Sequence, residues 1–197
     1  HRLADEDPTF VVRSNQETGE VIISGMGELH LEIILDRLKR EFGVSVTSDR
    51  PQVAYRETIL APVDHEYRHI KQTGGRGQYA HMVFRIEPTE PGSGFQFEDE
   101  VTGGKISREY LAAIERGIVE EMAQGPYAGF PIVDVLVTVY DGSMHDVDSS
   151  EQAFRTCGRM GFREACVRAG LELLEPIMSV EVTAPDEHTG AVTGHLC

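Results

Sequence analysis

Val21-Ile-Ile-Ser-Gly-Met-Gly-Glu-Leu-His-Leu-Glu-Ile-Ile-Leu-Asp-Arg-Leu-Lys-Arg-Glu-Phe-Gly43 sets the fold of the first third of the chain. Val21 to Ser24 is a short β-branched run, which favours a strand. Leu31, Ile34, Leu35, Leu38 and Phe42 follow at i, i+3, i+4, i+7 and i+11. That spacing draws one stripe on a 3.6-residue helix beginning at about Glu28. Glu28 and Glu32 come early and Lys39 and Arg40 late, as the helix dipole prefers, and Gly43 can take the left-handed stop. Upstream, Phe10 to Arg13 reads as a second strand. Asn15 to Glu20 supplies turn chemistry, with Gly19 free to take positive φ. Arg2 to Asp7 reads as the tail of a helix. A strand at about Gln52 to Thr58 is expected to close this segment. The order is ββαβ, the last part of a ferredoxin-like βαββαβ domain.

From about 58 to 176 the chain reads as a second unit. Strands are expected near Glu66–Gln72 and Tyr79–Glu87, joined by a glycine-rich tip, and at Phe95-Gln-Phe-Glu98 and Val133–Tyr140. A helix follows Ser107, a good N-cap, and carries Leu111, Ile114, Ile118 and Met122 on one face. Asp141 to Ser150 is a polar loop. Asp148 and Glu151 stand at cap-and-N3 spacing before a helix that ends at Gly170. From about 177 onward, Met178 to Thr183 reads as one strand, then Pro185 and a short polar stretch.

The chain has 197 residues, 40% apolar and 26% charged, the balance of a folded protein. Its 18 Lys plus Arg face 33 Asp plus Glu, a net charge of −15 that disfavours an indiscriminate nucleic-acid binder. No apolar run is long enough to span a membrane. Three cysteines, 157, 166 and 197, have neither disulfide nor zinc spacing and fit a reducing cytoplasm.

Against that acidity, Arg68 to Ile86 holds four cations, two histidines and no acid. At its centre lies Lys71-Gln-Thr-Gly-Gly-Arg-Gly-Gln-Tyr79. Its glycines let backbone N–H groups approach a partner, and Arg can fork onto phosphate. The same residues also suit an ordinary hairpin tip with solvated charges. No Gly-Lys-Ser/Thr follows, so it is not a Walker loop. Asp141-Gly-Ser-Met-His-Asp-Val-Asp-Ser-Ser-Glu151 lacks EF-hand ligand spacing. Its His145, Asp146 and Asp148 leave an enzyme open as a rival reading, to be tested by a cleft. Ser24 to Ile33 imitates a phosphate turn, but His30-Leu-Glu32 lacks metalloprotease spacing, and a packed structural histidine in a strand-to-helix turn is the better account.

Six stretches occur together in one order: Ser24–Ile34, Pro51–Thr58, Gln72–Tyr79, Gly129–Asp134, His145–Glu151 and Leu174–Met178. As a set they resemble bacterial translation elongation factor G over essentially the whole chain. The resemblance implies an α+β architecture. Residues 1–57 would be a truncated ferredoxin-like domain III. Residues 58–176 would be domain IV, of the ribosomal-protein S5 domain-2 type with a left-handed βαβ crossover. Residues 177–197 would begin domain V. It implies a part of a factor that promotes tRNA–mRNA translocation, acting in the cytoplasm, with no membrane partner. Its partners would be the ribosome, at the small-subunit decoding centre, and a GTP-binding domain of the same protein. That domain would hold GTP and magnesium, so this part would bind no cofactor or metal and have no catalytic residues. The tip residues so implied are Gln72, Thr73, Gly74, Gly75, Arg76, Gly77, Gln78, Ser143, Met144, His145 and Asp146. Ser24, Gly25, Met26, Gly27, Glu28, Leu29 and His30 would face the GTP-binding domain, where fusidic acid binds in this family. The alternative is a recycling or ribosome-protection paralogue. Ala80 stands where glycine is usual, and residues 190–197 depart from the family pattern.

Overall fold

The computed structural model describes residues 2–16, 18–72, 77–177, 182–183 and 185–196. The first unit comprises α1 (Arg2–Glu6), β1 (Val11–Ser14), β2 (Val21–Ser24) and α2 (Glu28–Phe42). β1 and β2 pair antiparallel from Val11↔Ser24 to Ser14↔Val21. Gly19 turns the hairpin at φ 72°, and Gly43 ends α2 at φ 66° with its N–H on the Leu38 carbonyl. A small core of Leu3, Phe10 and Ile34 forms where α1 and α2 meet, with Ile23, Leu31 and Leu38 packed on it. The rest of the α2 stripe, Leu35 and Phe42, lines an open groove with Val44 and Val46.

The strand expected at Gln52–Thr58 is corrected in both place and partner. Regular structure begins at Arg56, as β3 (Arg56–Ile59), and it pairs antiparallel with β8 (Leu171–Leu174), far along the chain. Its Glu57 and Ile59 are buried on the side of the second unit. Residues 43–55 carry no strand, so the first unit holds ββα rather than ββαβ. The reason is the environment of Glu57. Its carboxylate accepts the N–H groups of Tyr127, Ala128 and Phe130 at 3.1, 2.7 and 3.1 Å. A side chain on Gly125 would run into that carboxylate, so only glycine fits there. The Pro51–Thr58 and Gly129–Asp134 stretches are thereby two halves of one contact.

The second unit is a four-stranded sheet in the order β4–β5–β7–β6: Val63–Lys71, Gln78–Pro88, Val135–Ser143 and Phe95–Asp99. β4, β5 and β7 are antiparallel neighbours. β6 and β7 are parallel, as the connection through α3 (Arg108–Met122) requires. Ser107 caps α3 by accepting the Tyr110 N–H at 3.3 Å. α4 (Glu151–Ala169) packs on α3 and on β4 and β5. The helices approach so closely that a methyl on Gly117 or Gly158 would overlap the backbone of the other helix. Inward rows such as Ala80, Met82, Phe84 and Ile86 alternate along each strand and meet Ile114, Ile118, Phe154 and Phe162 from the helices. Cys157 and Cys166 lie in this core. Burial pushes both thiols up, Cys157 to about 12, so they behave as small apolar groups.

β7 runs on to Ser143 because its ladder with β5 continues past a bulge at Val83/Phe84, so only the latter part of the expected Asp141–Ser150 loop is irregular. The expected strand at Met178–Thr183 lies mostly outside the described residues. Beyond Pro185 come a single tight turn and α5 (Thr189–Leu196).

Candidate functional site

Two chain segments meet at one end of the four-stranded sheet. The first is the end of the β4–β5 hairpin. Its register pairs Ile70 with Tyr79 and Lys71 with Gln78. Partners opposite one another share a face. His69, Lys71, Gln78 and Ala80 therefore lie on one face, and Arg68, Ile70, Tyr79 and His81 on the other. Of the expected tip residues here, Gln72 is exposed, Gly77 and Gln78 are half-buried, and Thr73, Gly74, Gly75 and Arg76 lie outside the described residues.

Two of the cations in the acid-free run from Arg68 to Ile86 are paired with acids in space. Asp64 and Glu66, just upstream on β4, lie on the same face as Arg68 and Arg85. Arg85 grips Asp64 through two bonds of 3.1 Å. Arg68 and His81 both reach Glu66 Oε1, at 2.5 and 3.1 Å. The Arg85 guanidinium holds the Asp64 carboxyl below its ordinary range, and Arg68 does the same to Glu66. Sequence counting missed this because antiparallel pairing brings Asp64 beside Arg85 across the ladder.

The second segment is Ser143 to Ser149. Ser143 Oγ lies 2.8 Å from the Tyr79 hydroxyl and 2.9 Å from His81 Nδ1. Asp148 Oδ1 accepts the Gly77 N–H at 3.1 Å, and its carbonyl accepts the Tyr79 N–H at 2.9 Å. Ser149 is buried. Its hydroxyl donates to the Tyr79 carbonyl and accepts the His145 N–H, both at 2.8 Å. Asp148 is thus not the cap of α4, as its spacing suggested. Ser150 is, accepting the Ala153 N–H at 3.2 Å, because the Asp148 carboxylate is engaged across the tip. The approach is close: a Cβ at Gly77 would sit 3.1 Å from the Asp148 carboxyl carbon, so a side chain there would have to push the carboxylate aside by a few tenths of an ångström.

Met144, His145 and Asp146 are exposed beyond this bracket. His145 Nδ1 accepts the N–H groups of Val147 and Asp148 at 3.3 Å each, and its ring lies 6.1 Å from that of Tyr79. The neighbouring hydroxyls of Ser143 and Ser149 are both committed to structural bonds, which leaves His145 no nucleophile to activate there. Tyr79, Asp148 and Ser149 organise the tip and were not singled out for it from sequence.

In the first unit, β2 ends at Ser24 and Gly27 begins α2. His30 Nδ1 accepts the Met26 N–H at 3.1 Å, so its hydrogen sits on Nε2, which donates to Asp7 Oδ2 at 2.7 Å. His30 is thereby a structural pin of this turn, and a Cβ on Gly25 would lie 2.8 Å from its Nδ1. Met26 and Leu29 project into solvent, 77% and 70% exposed. Among the described residues, no group of three or more His, Cys, Asp or Glu is placed to hold a metal ion, and no helix is long and apolar enough to cross a membrane.

Residues 51–170 match the family described as elongation factor G, domain IV, and residues 1–50 match elongation factor G, domain III. The chain belongs to the elongation factor G family, which makes it a member of a translation elongation factor family. The two domains are of the S5-like and ferredoxin-like types. A similar solved structure is a protein from Thermus thermophilus, at 39% sequence identity and a TM-score of 0.80. The match covers 99% of this chain, which spans only 29% of that protein's length.

Proposed function

We propose that this chain is the part of a translocation factor that enters the small-subunit decoding centre of the ribosome and follows the tRNA–mRNA duplex. One observation carries the reading: Asp148 and Ser149 join the hairpin end and the Ser143–Ser149 loop into a single tip, beyond which His145 is exposed. Asp64 and Glu66 engage Arg85 and Arg68, so those two cations are not free for an RNA phosphate. In this reading GTP and its magnesium ion belong to another domain of the full-length factor. Met26 and Leu29, exposed beside the pinned turn, support Ser24–His30 facing that domain. The whole factor acts in the cytoplasm.

The test is Gln78→Ala and His145→Ala in the full-length factor. Both should slow single-turnover translocation while leaving ribosome-stimulated GTP hydrolysis near its starting rate. Equal loss of both activities would overturn the tip assignment. Ribosome splitting without translocation would place the chain with the recycling paralogues instead.

A further inference from the structure

At Gln78 and His145 the side-chain acceptor atom is already used inside the tip. Gln78 Oε1 lies 2.8 Å from His69 Nε2. A carbonyl oxygen can only accept, so His69 Nε2 carries the hydrogen and donates it. The contact follows from register. His69 pairs with Ala80 and Gln78 with Lys71, so His69 and Gln78 are diagonal neighbours on one face. With its oxygen held, Gln78 has only its NH₂ group left to offer a partner. His145 repeats the arrangement. Its Nδ1 accepts two backbone N–H groups, so the hydrogen sits on Nε2, on a side chain 55% exposed. Lys71, opposite Gln78, can only donate.

We infer that His69 is a positioning residue that fixes Gln78 as a hydrogen-bond donor, so that the tip reads the acceptor oxygens of an RNA backbone. The inference rests on the tip reading above and adds a polarity to it. Both Gln78 and the His145 ring then offer donors, which pair with a partner's phosphate or ribose 2′-oxygens. This suits a factor that meets every codon, because backbone oxygens carry no base identity.

Four variants of the full-length factor test it by single-turnover translocation at saturating factor. Gln78→Ala sets the full effect of losing the amide. His69→Leu removes the orienting donor. It should slow the step about 2- to 10-fold, the size of one neutral hydrogen bond. It should add nothing when combined with Gln78→Ala. His69→Gln, whose amide nitrogen falls near the position of Nε2, should restore the rate to within about twofold, and the shorter His69→Asn should not. A merely structural role for His69 would lower thermal stability in step with the rate and would not separate Gln from Asn. Slow Gln78→Ala with normal His69→Leu overturns the positioning role and leaves the tip reading standing. Normal rates for Gln78→Ala and His145→Ala defeat the tip reading itself. A messenger with 2′-deoxy sugars in the codon tells which oxygen is read: a vanished Gln78 effect supports the 2′-oxygen, and a retained one supports phosphate.

Discussion

Replacing Glu57 by Gln changes one atom and should unsettle the whole second domain. The Glu57 carboxylate is fully buried, and three backbone N–H groups of the 125–130 loop compensate it. Oε1 accepts from Ala128 and Phe130, and Oε2 from Tyr127. In Glu57→Gln the remaining oxygen keeps two of these bonds, now without the charge. The new NH₂ group faces the Tyr127 N–H, donor against donor. A bond to a charged acceptor contributes about 1.5–3 kcal/mol and a neutral one about 0.5–1.5, and a stranded buried N–H costs about 1–3. The expected loss is therefore about 2–4 kcal/mol. At about 2–4 °C per kcal/mol for a chain of this size, the midpoint should fall by about 5–15 °C. Thermal unfolding followed by circular dichroism at pH 7 reads it directly, with the exposed Glu98→Gln as the comparison. Glu57→Ala should fall further, since it strands all three donors. A Glu57→Gln midpoint within a degree of the parent would refute the argument that the 125–130 loop is folded around a negative charge.

Ser149→Ala removes a donor to the Tyr79 carbonyl and an acceptor of the His145 N–H, which should loosen the tip by about 1–3 kcal/mol. Amide exchange at His145 should then speed up while core amides in α3 do not, and unchanged protection at His145 would count against the bracket. Gly158→Ala drives a methyl into the Ile114 carbonyl and should cost about 1–3 kcal/mol in urea unfolding, with no change in midpoint as the contrary result. His65 gives a pH dependence. Burial, and then the Arg168 guanidinium whose Nη1 donates to its Nδ1 at 2.8 Å, hold it below its ordinary 6.5, against the opposing pull of Glu164 and Glu66. The unfolded chain takes up this proton first, so His65 leaves stability flat above pH 6.5 and lowers it as the pH falls below that value. His65→Gln should lose less stability than the parent between pH 7.5 and 5.5, and parallel curves would sink the assignment.

Local elements were readable where the signal was local. The α2 stripe, the Gly43 stop, the Ser107 cap and the end of α4 at Gly170 all follow from spacing of a few residues. What failed was long-range. Arg56–Ile59 carries the right β character, but nothing nearby tells that its partner is Leu171–Leu174, or that Glu57 is wanted by a loop some seventy residues away. Asp148 met every local condition for a helix cap and was claimed instead by Gly77, also about seventy residues distant. In both cases a carboxylate settles where the most unsatisfied N–H groups are, and tertiary structure alone decides where those lie.

Charge shows the same limit and bears on function. A run of nineteen residues with four cations and no acid reads as an RNA-seeking patch, yet two of those cations, Arg68 and Arg85, are paired with Glu66 and Asp64 on one face. Each such pairing takes one cation out of long-range attraction to phosphate, so Arg68 and Arg85 would add little to a salt-dependent binding. Arg85 holds Asp64, Arg68 holds Glu66, Glu66 also reaches His81, and His81 shares Ser143 with Tyr79. Arg68 and Arg85 therefore work as scaffold of the hairpin.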